Sequence, residues 1–273
     1  MTSHIPLVIA HRGASGSAPE HTLVAYQQAL TGGADGWECD VRMTQDGHLV
    51  CVHDRRLRRT SNGKGAVARR ELIELQRLDF VSWKPGWAYP TPKGETGVLT
   101  LRRLLELFVD TGPGLRLLIE TKHPSRFRGE IEHALVSELE HFGLHSPEPG
   151  QESPVIVMSK SPPALRRMRL LAPKLPRVQL FIAIPPHGRR NLTLAGAGEI
   201  PIVGPWLGAL RYRPEYVARA HRAGRQVYVW TVDKPDDVTA MAQLGVDAII
   251  TNHPARVRRQ LSMLSAGIPD GCD

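Results

Sequence analysis

Short apolar runs alternate with longer segments of helical period along the chain. Residues 6–10 (PLVIA) read as a buried strand, and 19–30 as a helix with Leu23, Tyr26, Ala29 and Leu30 on one face. A strand at 36–43 (GWECDVRM) reaches a turn at Gln45-Asp46-Gly47 and returns through 48–53, because Asp-Gly between alternating apolar positions is a hairpin signal. Residues 55–99 break this rhythm with Gly, Pro and Trp and read as an insertion, with one short helix at 71–78. The rhythm returns with a helix at 101–110, a strand at 115–121, a helix at 129–142, a strand at 154–159, a helix at 163–171 and a strand at 178–184. A polar, Gly-rich loop at 185–199 takes the place of the fifth helix. Strands at 200–204, 226–232 and 246–251 then alternate with helices at 214–223, 235–244 and 254–264. Strand-then-helix repetition means a parallel sheet. Eight such steps fit a closed TIM (β/α)8 barrel, here with an insertion after strand two, and residues 1–273 read as a single barrel domain. An open doubly wound sheet would carry a Gly-rich phosphate loop after its first strand, and His11-Arg12-Gly13 is not that loop.

Composition sharpens this only slightly. The 273 residues are 41% hydrophobic and 23% charged, which supports a large buried core and excludes a disordered tail or a disulfide-stapled miniprotein. Three cysteines (Cys39, Cys51, Cys272), no basic and apolar leader and no long apolar run make the cytoplasm the expected compartment, with no stable membrane anchor. Thirty-five Lys and Arg stand against 27 Asp and Glu, a net charge of +8, which favours an anionic partner. Only 5% of residues are aromatic and no nucleic-acid module is recognisable, so nucleic acid is not the expected partner. Runs such as Arg166-Arg167-Met168-Arg169 and Arg256-Val257-Arg258-Arg259 read as solvated helix faces.

In a barrel of this kind chemistry sits where strands end. Glu38 and Asp40 are two apart on one strand and share a face, and Glu120 lies on the next strand. Close carboxylates cannot both ionise cheaply without a cation, so the trio suits one hard divalent ion, Ca2+ or Mg2+. The plainer alternative pairs each carboxylate with Arg12, Arg42 or Lys122. His11 and His53 end neighbouring strand segments and suit general acid-base work, or else serve as hydrogen-bonded structural histidines. Arg12 and Lys122 are cations that could grip phosphate. Trp230 reads equally as an apolar wall for substrate or as barrel core. Ser17-x-x-Glu20 with Pro19 matches a capping box ahead of the first helix. Cys39 alternates with the two acids and should face the helices.

Taken together, AHRGASGSAPEHT, ECDVRMTQDGHLVCVHD, LRRTSNGKG, LLIETKH, VYVWTVD and AIITNHP resemble, in order, the motifs of the glycerophosphodiester phosphodiesterase family. The resemblance spans nearly the whole chain and implies the barrel and metal-dependent hydrolysis of a small phosphodiester to sn-glycerol 3-phosphate and an alcohol. It would place the metal carboxylates on Glu38, Asp40 and Glu120, the acid-base pair on His11 and His53, the phosphate-binding cations on Arg12 and Lys122, and a supporting acid on Glu20. Two positions depart: His21 replaces an Asn, and Asn252 stands where the family often has Asp. A lysophospholipase D or related phospholipid phosphodiesterase is the neighbouring expectation, with 80–89, including Trp83 and Trp87, as an apolar approach for acyl chains. No oligomeric state follows from these residues.

Overall fold

The computed structural model describes residues 5–87, 96–148, 150–184 and 200–267. The chain order is β1 (Leu7–His11), α1 (Leu23–Thr31), β2 (Gly36–Met43), β3 (Leu49–Cys51), 3-10 turns at Leu57–Arg59 and Val67–Arg69, then α2 (Leu72–Gln76) and α3 (Leu101–Asp110). It continues with β4 (Arg116–Thr121), α4 (Glu130–His141), β5 (Val155–Ser159), α5 (Pro162–Leu171), β6 (Arg177–Phe181) and β7 (Ile202–Pro205). The last elements are α6 (Leu207–Tyr212), α7 (Tyr216–Arg222), β8 (Gln226–Val229), α8 (Pro235–Gln243), β9 (Ala248–Thr251) and α9 (Pro254–Ser265). The strands run in the order β1-β9-β8-β7-β6-β5-β4-β2, and β1 also pairs with β2, so the eight parallel strands close into a barrel. β3 hangs antiparallel on the outer end of β2, as the Asp-Gly turn predicts. The expected loop at 185–199 lies outside the described residues.

Alternation along each strand divides the core into two layers. Val8, Trp37, Cys39, Val41, Leu117 and Ile119 face outward into clusters shared with the helices. Ile9, Leu118, Ile156, Val178, Ile202, Tyr228 and Ile250 fill the barrel interior. The same parity carries His11, Glu38, Asp40, Glu120 and Lys122 inward at the upper end, where the hydrophobic layer stops. Register completes the placement: His11 lies beside Glu38, and Asp40 beside Glu120.

The insertion has its own small core. Val50, Val52, Leu57, Val67, Leu75, Phe80 and Val98 pack together, and Glu71 and Glu74 form a capping box on α2. The box expected at Ser17 and Glu20 does not form. Thr22 caps α1 instead, accepting from the Ala25 amide at 3.3 Å, which leaves Glu20 free for ion pairs. The segment between 200 and 226 holds two short helices rather than one, because Pro214 cannot continue the first. In the arginine runs Arg166, Arg169, Arg256 and Arg259 are exposed, as expected, whereas Arg167 pairs with Glu132 at 2.7 Å, and Arg258 bonds the Gly33 carbonyl at 2.9 Å and pairs with Asp35.

Trp37 is wholly buried, with Tyr26 at 5.3 Å and Phe108 at 6.2 Å between ring centres. Trp37→Ala should cost about 3–5 kcal/mol, because the cavity it leaves lies between rigid layers. The shift in the denaturant midpoint measures this.

Candidate active site

The site begins at a forced reversal. After β1 the chain turns through Arg12 at φ 60° and Gly13 at φ 78°. A Cβ on Gly13 would meet the Ala25 backbone at 2.6 Å, so the turn requires glycine. The reversal aims the Arg12 amide at Glu38 Oε2 (3.0 Å) and swings the guanidinium over the barrel mouth. There it pairs with Asp40 at 2.9 Å and with Glu20 at 2.9 Å.

One oxygen from each of Glu38, Asp40 and Glu120 can lie within 4.8 Å of the others, and all three residues are buried. Lys122 Nζ sits 2.9 Å from Asp40 and 3.0 Å from Glu120. The plainer pairing scheme therefore accounts for Asp40 and Glu120 but leaves out Glu38, whose nearest side-chain cation would be a protonated His11 at 4.0 Å. Burial and then the charge of Asp40 push Glu38 well above the ordinary carboxylate range. Burial also pushes Glu120 up, against the pull of Lys122. Asp40 moves the other way: Lys122 and Arg12 overcome its burial and hold it ionised. Two buried acids with raised proton affinity beside an ionised third describe a site short of positive charge. The all-oxygen donors and their spacing fit a hard divalent cation.

Both histidines are oriented from behind. His11 Nδ1 lies 2.7 Å from Asn252 Oδ1. That amide is fixed by Asp233, which accepts from Asn252 Nδ2 at 2.6 Å and from its backbone amide at 2.8 Å. His11 Nδ1 is therefore the donor, and the Nε2 lone pair faces the carboxylates. His53 Nδ1 lies 2.6 Å from Asp54, which Arg59 holds at 2.8 Å, so the Nε2 of His53 is likewise left as the acceptor. Burial, followed by the Arg12 charge, lowers His11 to about 3. Burial lowers His53 to about 4, although Asp40 and Asp54 pull the other way. Both imidazoles are therefore neutral near pH 7 in the free protein.

Several partners were not evident from motif spacing. Arg42 continues the inward parity of Glu38 and Asp40. Among the described residues it pairs with no carboxylate, and it donates twice to the His53 carbonyl, at 2.9 and 2.6 Å. Arg59 reaches from the insertion to grip Glu20 with two bonds of 2.7 Å. His21, buried at φ 57°, places Nε2 3.0 Å from Asp40 and Nδ1 2.9 Å from the Tyr26 hydroxyl. The imidazole thus hydrogen-bonds Asp40 on one side and Tyr26 on the other, an arrangement visible only once β2 and α1 are in place. For Trp230 the structure shows the core role. It packs against the inner core and carries Lys160 4.5 Å above its ring at the rim. Phe80 is buried in the insertion core rather than offered to a ligand, and Trp83 donates to its carbonyl at 2.9 Å. Tyr89 lies outside the described residues.

The Glu20 carboxyl sits at about 2: burial would raise it, but the Arg59 hydrogen bonds and the Arg12 charge prevail. A carboxylate depressed below its ordinary 4.5 stabilises the fold above that pH, and the contribution is lost as pH falls toward 2. Wild-type protein should therefore lose more stability than Glu20→Gln on acidification across this window. Parallel denaturation curves for the two proteins would show that Glu20 is not so paired.

Over residues 11–256 the chain matches the model of the glycerophosphoryl diester phosphodiesterase family. It is 44% identical over 258 residues to the Mycobacterium tuberculosis protein named "Probable glycerophosphodiester phosphodiesterase 1", covering 94% of this chain and 92% of that one. It is 36% identical to a glycerophosphodiester phosphodiesterase of Bacillus subtilis, covering 91% and 84%. The fold superposes on an Oleispira antarctica phosphodiesterase solved in complex with the product sn-glycerol-3-phosphate, with TM-score 0.81, 27% identity and coverage of 94% and 97%.

Proposed function

The chain belongs to the glycerophosphoryl diester phosphodiesterase family, and on that premise we propose that its barrel mouth hydrolyses glycerophosphodiesters to sn-glycerol 3-phosphate and an alcohol by His/His acid-base catalysis. The observation that carries the reading is that His11 and His53, each held through Nδ1 by a hydrogen bond, stand at the mouth that carries the buried acidic trio. The M. tuberculosis and B. subtilis relatives support the reaction class, and the Oleispira complex supports the phosphate product.

Glu38, Asp40 and Glu120 would hold one divalent cation, Ca2+ or Mg2+. When bound, it supplies Lewis-acid stabilisation of the charge that grows on the phosphoryl oxygens. Arg12 and Lys122 bind the same oxygens and orient the diester, and Trp230 forms the apolar wall beside it. His11, whose Nε2 lone pair faces the carboxylates, takes a proton from the attacking water. Asn252 behind it is neutral and leaves that lone pair free. His53 takes up a solvent proton as the anionic diester binds and offsets the Lys122 and Arg12 charges that, after burial, lower it in the free protein. With the Asp54 carboxylate stabilising its imidazolium, His53 gives that proton to the departing alkoxide, and His11 returns its own to solvent. Glu20, through Arg12 and Arg59, holds the phosphate-binding group and the His53–Asp54 pair in one frame. Cys39 and Cys51, both buried and unpaired, support a cytoplasmic setting. Among the described residues no helix is long and apolar enough to cross a membrane.

With glycerophosphocholine as substrate, His11→Ala and His53→Ala should each lower kcat by about 10²–10⁴-fold. EDTA should abolish turnover and added Ca2+ or Mg2+ restore it. Full activity in both alanine variants would overturn the acid-base assignment. Turnover of lysophosphatidylcholine without turnover of glycerophosphocholine would replace the reading with a lysophospholipase D.

A further inference from the structure

Beside His53 and Lys122, which line its ends, the barrel mouth opens into a trench whose other walls are groups with no role in the proposed reaction. It consists of two adjoining cavities of about 650 and 790 Å3 that share Arg42, Arg55 and Arg69 in their walls. Lys122, Ser125 and Arg126 line one end, and His53 lines the other. Each wall comes from a different part of the chain. Arg55 follows β3, Arg69 ends the second 3-10 turn of the insertion, and Arg126 follows β4. Arg126 Nη1 donates to the Ala68 carbonyl at 3.1 Å, which ties the two walls together.

The charge of this trench is unbalanced. Among the described residues Arg55, Arg69 and Arg126 have no carboxylate partner, although their neighbours Arg59 and Arg70 do. Asp54 is the one acid in the lining, and it is already shared between His53 and Arg59. Unpaired guanidinium groups converging on a concave surface repel one another unless an anion sits among them, and arginine favours the forked oxygens of phosphate. The cavities are large enough for a polar ring of sugar size. A diester held by Lys122 at the mouth has this trench directly beside it.

We propose that the trench is an anion subsite for the alcohol side of the diester, so that substrates whose alcohol carries a second phosphate are preferred. The proposal rests on the hydrolase reading above and names the substrate class within it. Arg55, Arg69 and Arg126 are then specificity residues that touch the second phosphate and leave the reacting one alone.

A matched pair of ligands tests this: glycerophosphoinositol and glycerophosphoinositol 4-phosphate, with wild-type protein and the triple variant R55Q/R69Q/R126Q. With divalent metal, wild type should favour the phosphorylated diester by about tenfold or more in kcat/KM, and the triple variant should bring that ratio near one. Calorimetric binding of the same pair in EDTA should show the same preference and the same loss without turnover. Equal binding and equal kcat/KM for the two diesters in wild type would overturn the subsite. A preference that survives in the triple variant would do so as well. Loss of turnover on both diesters with the binding preference intact would sink the hydrolase reading and leave the subsite standing. If the variant keeps the ratio but loses binding to phosphatidylserine vesicles or to duplex DNA, the trench is a surface for those polyanions and the proposal fails.

Discussion

The architecture of the site depends on one costly arrangement: three carboxylates buried at the top of a closed barrel, with oxygens within 4.8 Å of one another. Inward parity on β2 makes Glu38 and Asp40 neighbours, and the β2–β4 register adds Glu120. Isolated buried carboxylates are destabilising by several kcal/mol, on the order of the whole stability of a domain once summed. The chain offsets this unevenly. Asp40 receives Arg12, Lys122 and His21, whereas Glu38 receives a backbone amide and no cation at hydrogen-bond distance. The mouth is therefore one positive charge short on one side, which is the electrostatic condition for holding a metal ion and then an anionic phosphate.

The compensating charges reach the carboxylates through backbone features with little tolerance. Arg12 arrives through a left-handed turn that only Gly13 can complete. Lys122 follows from the parity of β4, one step past the strand end. Arg59 comes from the insertion, whose small core fixes it over Glu20 and Asp54. The insertion thus belongs to the active site: it orients His53 through Asp54, while the β9 end orients His11 through Asn252 and Asp233. The two histidines differ in the group behind them, a carboxylate for one and an amide for the other. In the proposed reaction that difference decides which imidazole carries a proton once the diester is bound.

Much of this was legible before the chain was folded. Period-two alternation placed Glu38 and Asp40 inward and Cys39 outward, because a strand buried on both faces leaves few alternatives. The eight strand-helix steps followed from hydrophobic period, and the strand ends marked His11, Glu120 and Lys122. What period could not supply was contact between distant segments. Arg59 lies 39 residues from Glu20, and Asp233 lies 19 from Asn252, and nothing local in either segment announces the pairing. The capping box at Ser17 and Glu20 failed for the converse reason. A local signal worth about 1 kcal/mol lost to a bidentate arginine on a nearly buried carboxylate, which is a stronger interaction.

The basic surplus of +8 has a structure that composition hides. On the outer helices some arginines are tied down: Arg167 to Glu132, Arg211 to Asp237, Arg258 to Asp35. These pairs are partly exposed, contribute little individually, and cancel their own long-range field. Arg55, Arg69 and Arg126, which have no acidic partner among the described residues, line one side of the barrel mouth, where low-dielectric walls focus their field. The same mouth holds the acidic trio. A small anion approaching along the basic wall thus meets attraction before it reaches the carboxylates. The order of the two charges along the path, positive outside and negative within, is what the proposed sharing of one site by a metal ion and a phosphate requires.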